Sequence, residues 1–97
     1  MNDLNSVYMV GRIENTPLMV DGVWKFNIIN NEFQYDDLKK EYVKKSTTFT
    51  VSYSGGTPMK FESNSRIGIN GKLAMSSNNS VFINCNTIQN LEPKEGN

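Results

Sequence analysis

Asn5-Ser6-Val7-Tyr8-Met9-Val10-Gly11-Arg12-Ile13 opens the chain as an alternating segment that meets a glycine and a basic residue before bending at Thr16-Pro17. Tyr8 and Val10 fall on one face and Val7, Met9 and Ile13 on the other. A period of two suits a strand buried on at least one side. A glycine inside such a strand marks a bulge or sharp bend, which a small closed barrel needs to turn its corners. Arg12, directly after that bend, is placed to project from a rim.

Four more strand-like segments follow. The second, from about Val20 to Asn31, puts Trp24, Phe26 and Ile28 on one face as expected core. The third, from about Ser46 to Ser54, alternates Thr47, Phe49, Val51 and Tyr53 against the hydroxyl face of Thr48, Thr50 and Ser52. The fourth, from about Arg66 to Met75, turns Ile67, Ile69, Leu73 and Met75 inward, with Gly71 as a second bend. Ser76 to Asn79 is a turn that pairs the fourth strand with a fifth, from about Ser80 to Leu91. Between the second and third strands lies a long polar excursion. Its stretch from Asp36 to Lys45 reads equally as a helical turn or two or as a charged hairpin extension. Together these features predict an all-β, five-stranded OB-type barrel with a long loop between strands 2 and 3. The domain is expected to span residues 1–91, with 92–97 a flexible tail.

Ninety-seven residues suffice for one domain with a single small core. Ten Lys+Arg balance ten Asp+Glu, so no global field draws the chain to a polyanion, and a nucleic-acid site must be a local patch. Cys85, the single cysteine, lies in the apolar run from Val81 and is expected to be a buried structural thiol. One cysteine forms no internal disulfide, and with neither a signal peptide nor a membrane span in the sequence, a soluble cytoplasmic protein is expected.

The absence of histidine removes the commonest general base and metal ligand. The sequence carries no Cys-x-x-Cys pair, phosphate loop or nucleophile elbow. Asp36-Asp37 lies among lysines and reads as a solvated face rather than an acid/base dyad. No catalysis, no metal and no cofactor are expected.

What the excursion does carry is three aromatics interleaved with four lysines: Phe33, Tyr35 and Tyr42 with Lys39, Lys40, Lys44 and Lys45. Flat rings that stack on bases and ammonium groups that follow phosphates are how single-stranded nucleic acid is held. Glu32, Asp36, Asp37 and Glu41 cancel those lysines on paper, so folding must segregate the signs, with all four lysines toward a groove and the acids toward water. The alternative is a solvated loop whose rings cover the barrel wall. Phe49 and Tyr53 divide evenly between stacking and core positions. Arg12 and Lys72 each follow a glycine bend and are expected near one rim.

In order, these segments resemble bacterial single-stranded DNA-binding proteins and their shorter relative, primosomal replication protein B. Asn5-x-Val7-x-Met9-Val10-Gly11-Arg12-Ile13 is similar to that family's opening strand. Thr16-Pro17-Leu18 is similar to its bend, Phe26 to Asn31 to its second strand, Thr47-Thr48-Phe49 to the opening of its third, and Ile67-Gly68-Ile69-Asn70-Gly71-Lys72-Leu73 to its Val-x-Val-x-Gly-x-Leu strand. The resemblance covers residues 4 to 91. It implies an OB barrel that binds single-stranded DNA without sequence preference as a homodimer or homotetramer, with Phe33 and Phe49 at stacking positions, Tyr53 a looser match, and Arg12 and Lys72 at basic groove positions. The chain departs from the family in a shortened hairpin at Ser76 to Asn79, in a helix reduced to about Gly55 to Asn64, and in lacking an acidic, aromatic-capped end. It therefore looks like a minimal module from a phage, plasmid or other mobile element, with replication or recombination proteins as further partners. The competing expectation is an OB barrel that binds protein as an assembly factor, its DNA affinity weak or lost.

Overall fold

The computed structural model describes residues 4–55 and 62–92. Six strands follow in chain order: β1 Val7–Ile13, β2 Leu18–Val20, β3 Val23–Asp36, β4 Glu41–Tyr53, β5 Arg66–Met75 and β6 Val81–Asn90. They pair in the order β1-β5-β6-β4-β3-β2, and a further β1–β3 pairing at Arg12↔Ile29 and Ile13↔Ile28 closes the sheet on itself. The β4–β6 pairing, Val51↔Ile83 to Tyr53↔Cys85, is parallel and all others are antiparallel. This is the closed five-stranded barrel expected of an OB fold, with β2 a short addition at the β3 edge. Among the described residues there is no helix, and so none long and apolar enough to cross a membrane.

Alternation builds the interior. Ile13, Phe26, Ile28, Val51, Ile67, Ile69, Ile83 and Cys85 form one buried cluster, with Val7, Met9, Phe49, Tyr53 and Ile88 packed against it. Each occupies the inward position of its strand, so the β-branched side chains meet across a narrow barrel. Gly11 lies where β1 passes close to β3, and a Cβ there would collide with the Ile29 carbonyl oxygen. At Gly71, where the β5–β6 register shifts, a Cβ would strike the Asn84 carbonyl oxygen. Both glycines are thus required by close backbone approach at barrel corners.

Four expectations are corrected. The segment expected as one strand from Val20 breaks at Asp21 and Gly22, both with positive φ (51° and 79°). Such a pair joins strands by a two-residue turn that matches their twist, and it pairs β2 with β3. Trp24 is half-buried opposite Met19 and Tyr53 rather than part of the central cluster. Leu73 and Met75 are 45% and 61% exposed. Strand β1 stops pairing with β5 at Val7↔Gly71, so these two project past the last strand that could cover them. The Asn5 side chain does reach that far, clamping the Leu73 backbone with hydrogen bonds of 2.8 and 3.0 Å.

The polar excursion is a hairpin, one of the two forms its sequence allowed. Strands β3 and β4 continue past the barrel in unbroken register from Trp24↔Tyr53 to Asp36↔Glu41. Asp36 Oδ1 closes the tip by accepting from the backbone N–H groups of Leu38 (2.9 Å) and Lys39 (3.2 Å). The reduced connection before β5 falls largely on residues 56–61, outside the described residues, as do residues 93–97 of the expected tail.

Candidate nucleic-acid interface

The unbroken register decides what the distal hairpin shows on each side. Successive side chains on a strand point to opposite faces, and directly paired residues share one. Ile28 and Phe49 face inward, so Glu32, Gln34 and Asp36 of β3 follow on that face with Glu41, Val43 and Lys45 of β4. The opposite face carries Asn31, Phe33 and Tyr35 against Ser46, Lys44 and Tyr42. Hydrogen bonds within each face agree with this division: Gln34 Nε2 donates to Glu32 Oε2 at 3.1 Å, and Ser46 Oγ to Asn31 Oδ1 at 2.6 Å. Three rings and one ammonium group therefore stand together, and three carboxylates stand behind them.

The rings are open to solvent: Phe33 is 68% exposed, Tyr35 52% and Tyr42 71%. Tyr35 and Tyr42 meet edge to face, with centroids 5.3 Å apart and planes at 76°. In that arrangement one ring braces the other. Phe33 and Tyr35, two residues apart on one strand, are offset by about 7 Å, comparable to the spacing of bases on an extended single strand.

This outer face continues onto the barrel, where Thr48, Thr50 and Ser52 form the hydroxyl surface of β4. It leads to a hollow of about 410 Å³ lined by Lys25, Thr50, Ser52, the Ser76–Ser80 turn and Phe82. A neighbouring hollow of about 320 Å³ shares Lys25, Ser52 and Phe82 and adds Asn84. Lys25 and Phe82 were not singled out from sequence. The visible signal was the hydroxyl alternation of β4, which identifies the outward side of the strand they flank.

Other expected site residues lie elsewhere. Phe49 and Tyr53 flank fully buried Val51 at two-residue spacing and pack on the core, so neither belongs to the exposed ring set. Lys45 stands on the acidic face opposite Glu32, because it is one residue from Lys44 on an extended strand. Lys39 and Lys40 occupy the exposed tip, Lys40 with φ 54°. Arg12 and Lys72 do not share a rim: Arg12 pairs with Arg66, and Lys72 is six residues farther along β5, about 20 Å away. Lys72 is exposed opposite Asn84, on the side of the second hollow.

Arg12 is held in place. Its Nη1 donates to the Asn64 carbonyl oxygen at 2.8 Å and to Glu92 Oε1 at 2.9 Å. The Arg66 backbone N–H, donating to the same carboxylate at 2.8 Å, holds the Glu92 carboxyl below its ordinary range, and the Arg12 guanidinium adds to that effect. Glu92, assigned from sequence to the tail, thus closes the barrel end. Burial pushes the Cys85 thiol up to about 11, and its Sγ donates to the Thr87 carbonyl oxygen at 3.1 Å, the environment of an unreactive structural thiol.

No protein-family model matches the sequence, and no curated protein matches it. Solved structures match the fold. A Plasmodium falciparum SSB in complex with ssDNA superposes with a TM-score of 0.78 at 17% identity, over 95% of this chain and 98% of that one. A small single-stranded DNA-binding protein from Streptomyces coelicolor gives 0.65 at 18% identity, over 93% and 95%. The dimeric N-terminal domain of PriB from Thermoanaerobacter tencongensis gives 0.56 at 21%, over 92% and 98%. By fold, then, the chain is an OB barrel of the kind built by the single-stranded DNA-binding proteins and PriB.

Proposed function

We propose that this protein binds single-stranded DNA without sequence preference, in replication, recombination or repair, and catalyses nothing. The observation that carries the reading is the outer face of the β3–β4 hairpin, where Phe33, Tyr35, Tyr42 and Lys44 stand together, exposed, with the carboxylates of Glu32, Asp36 and Glu41 on the opposite side. Stacking on exposed rings contributes about 1 to 3 kcal/mol per base and tolerates any sequence, since every base has a π-face. Lys44 supplies a cation on the same face, the tip lysines Lys39 and Lys40 lie at its end, and the two hollows lined by Lys25, with Lys72 opposite Asn84 beside the second, extend it over the barrel.

The Plasmodium falciparum SSB in complex with ssDNA and the small single-stranded DNA-binding protein from Streptomyces coelicolor share this barrel, which supports the same class of ligand here. Self-association as a homodimer or homotetramer belongs to the same reading. It is checked by mass measurement with and without oligo-dT.

The test of the main reading is fluorescence anisotropy of labelled oligo-dT at low and moderate salt. Micromolar binding at low salt that weakens as salt rises is expected, and no binding at micromolar protein in low salt overturns it. The acidic face of the same hairpin favours a second reading, capture of a protein partner. Substituting Lys44→Glu separates the two: DNA affinity falls sharply under the first, whereas partner capture on the opposite face survives under the second.

A further inference from the structure

We infer that the cross-strand pair Arg12 and Arg66 is a second phosphate-binding site, reached by the same single strand after it leaves the ring face of the hairpin. The inference rests on the reading above and adds a site to it.

Arg12 and Arg66 are directly paired on β1 and β5 and share the outward face. Like charges placed directly opposite each other destabilise a sheet. Here the Arg12 guanidinium pairs with the Glu92 carboxylate at 2.9 Å, while Arg66 reaches that carboxylate through its backbone N–H at 2.8 Å, so two guanidinium groups share the charge of one acid. That combination retains one positive charge. The hydrogen bonds of Arg12 to Asn64 and Glu92 both leave from Nη1. A guanidinium carries five N–H donors in a rigid fork, so the two contacts fix its plane while the Nε–Nη2 edge keeps the geometry that binds a phosphate through two parallel hydrogen bonds.

A cleft of about 540 Å³ joins this pair to the hairpin. Its lining includes Arg12 and Arg66 at one end, Tyr8 on β1, and Ile29 and Asn31 on the outward face of β3. Asn31 precedes Phe33 by two residues on that face, about 7 Å along the strand. Tyr8 is 61% exposed and lies over Gly68, between Asn70 and Arg66 on β5, where the missing side chain leaves room for the ring. A strand stacked on Phe33 therefore meets a fourth exposed ring and two guanidinium groups in sequence. The ligand is the phosphodiester backbone, with Tyr8 beside the adjoining base.

Two measurements test this together: the salt dependence of oligo-dT binding for wild type and Arg66→Gln, and the arginine Nε–H NMR signals of the wild type titrated with oligo-dT and with pyrophosphate. Loss of one phosphate contact lowers the slope of log K against log salt by about 0.7, with affinity down about threefold to tenfold at low salt. Movement of the Arg12 and Arg66 signals with both ligands is expected. Oligo-dT binding with an unchanged slope in Arg66→Gln and unmoved arginine signals overturns the site and leaves the ring-face reading standing. Failure of oligo-dT to bind while pyrophosphate still moves both signals upholds an anion site and overturns that reading. Silence with both ligands removes both.

Discussion

The barrel half and the distal half of β3 and β4 are the same two strands in one register, yet they are held by different physics. In the barrel half, Phe26, Ile28 and Val51 are buried against β1, β5 and β6, and the outward positions are the hydroxyls of Thr48, Thr50 and Ser52 opposite Ile29, Asn27 and Lys25. In the distal half no other strand among the described residues covers either face. There the period of two no longer sorts inside from outside; it sorts rings from carboxylates. The alternation that builds a core near the barrel builds a separation of chemistry beyond it. A chain with no net charge thereby gains a face that carries three rings and a lysine, with the carboxylates of Glu32, Asp36 and Glu41 on the other side.

Breaking the barrel half gives the largest expected effect. Ile28→Ala removes a fully buried side chain at the corner where β3 meets β1 and should cost about 2 to 5 kcal/mol in urea unfolding, with DNA affinity of the remaining folded protein unchanged. The distal half should behave in the opposite way. Phe33→Ala or Tyr42→Ala should weaken oligo-dT binding by about 1 to 3 kcal/mol while moving unfolding stability by no more than about 0.5 kcal/mol. Equal stability losses at Ile28 and Phe33 would erase the distinction between the halves.

The comparison sharpens within the hairpin at adjacent residues. Lys44→Gln, on the ring face, should lower the salt slope of binding by about 0.7, as expected for one lost phosphate contact. Lys45→Gln, on the acidic face, should leave it unchanged. Equal effects at the two positions would mean that the strand does not distinguish the faces.

The smallest effect is expected at the closed barrel end. Glu92 has a carboxyl pKa lowered from 4.5 in the folded protein, chiefly by the Arg66 backbone N–H. A depressed folded pKa stabilises above the unfolded value and loses that contribution as pH falls through the folded one. The stability difference between wild type and Glu92→Gln should therefore hold at neutral pH and shrink below about 4.5, a trend followed by thermal unfolding across acidic pH.

Much of the barrel is legible because burial imposes a period on adjacent residues. Val7, Met9 and Ile13, then Phe26 and Ile28, then Ile67 and Ile69, each announce an inward face within a few positions of one another. The Asp21-Gly22 turn is equally local, but in the sequence the apolar residues on either side of it run together as one strand. The ring set was legible as a composition, three aromatics among lysines, but its membership was not. Phe49 and Tyr53 are as aromatic as Phe33, and Lys45 is as basic as Lys44. What separates the rings is whether another strand lies against their side of the sheet, and what separates the lysines is one step along the strand, which sends them to opposite faces.

The sequence by itself determined the alternation, the glycine corners and the residue types available to a binding face, because those follow from neighbours a few bonds apart. The tertiary structure alone decided that Arg12 stands opposite Arg66 and far from Lys72, that Glu92 reaches back eighty residues to hold it, and that the carboxylates stand behind the rings. Those placements depend on strand register and barrel closure, and register is set by the packing of the whole core, to which no short stretch of sequence has access.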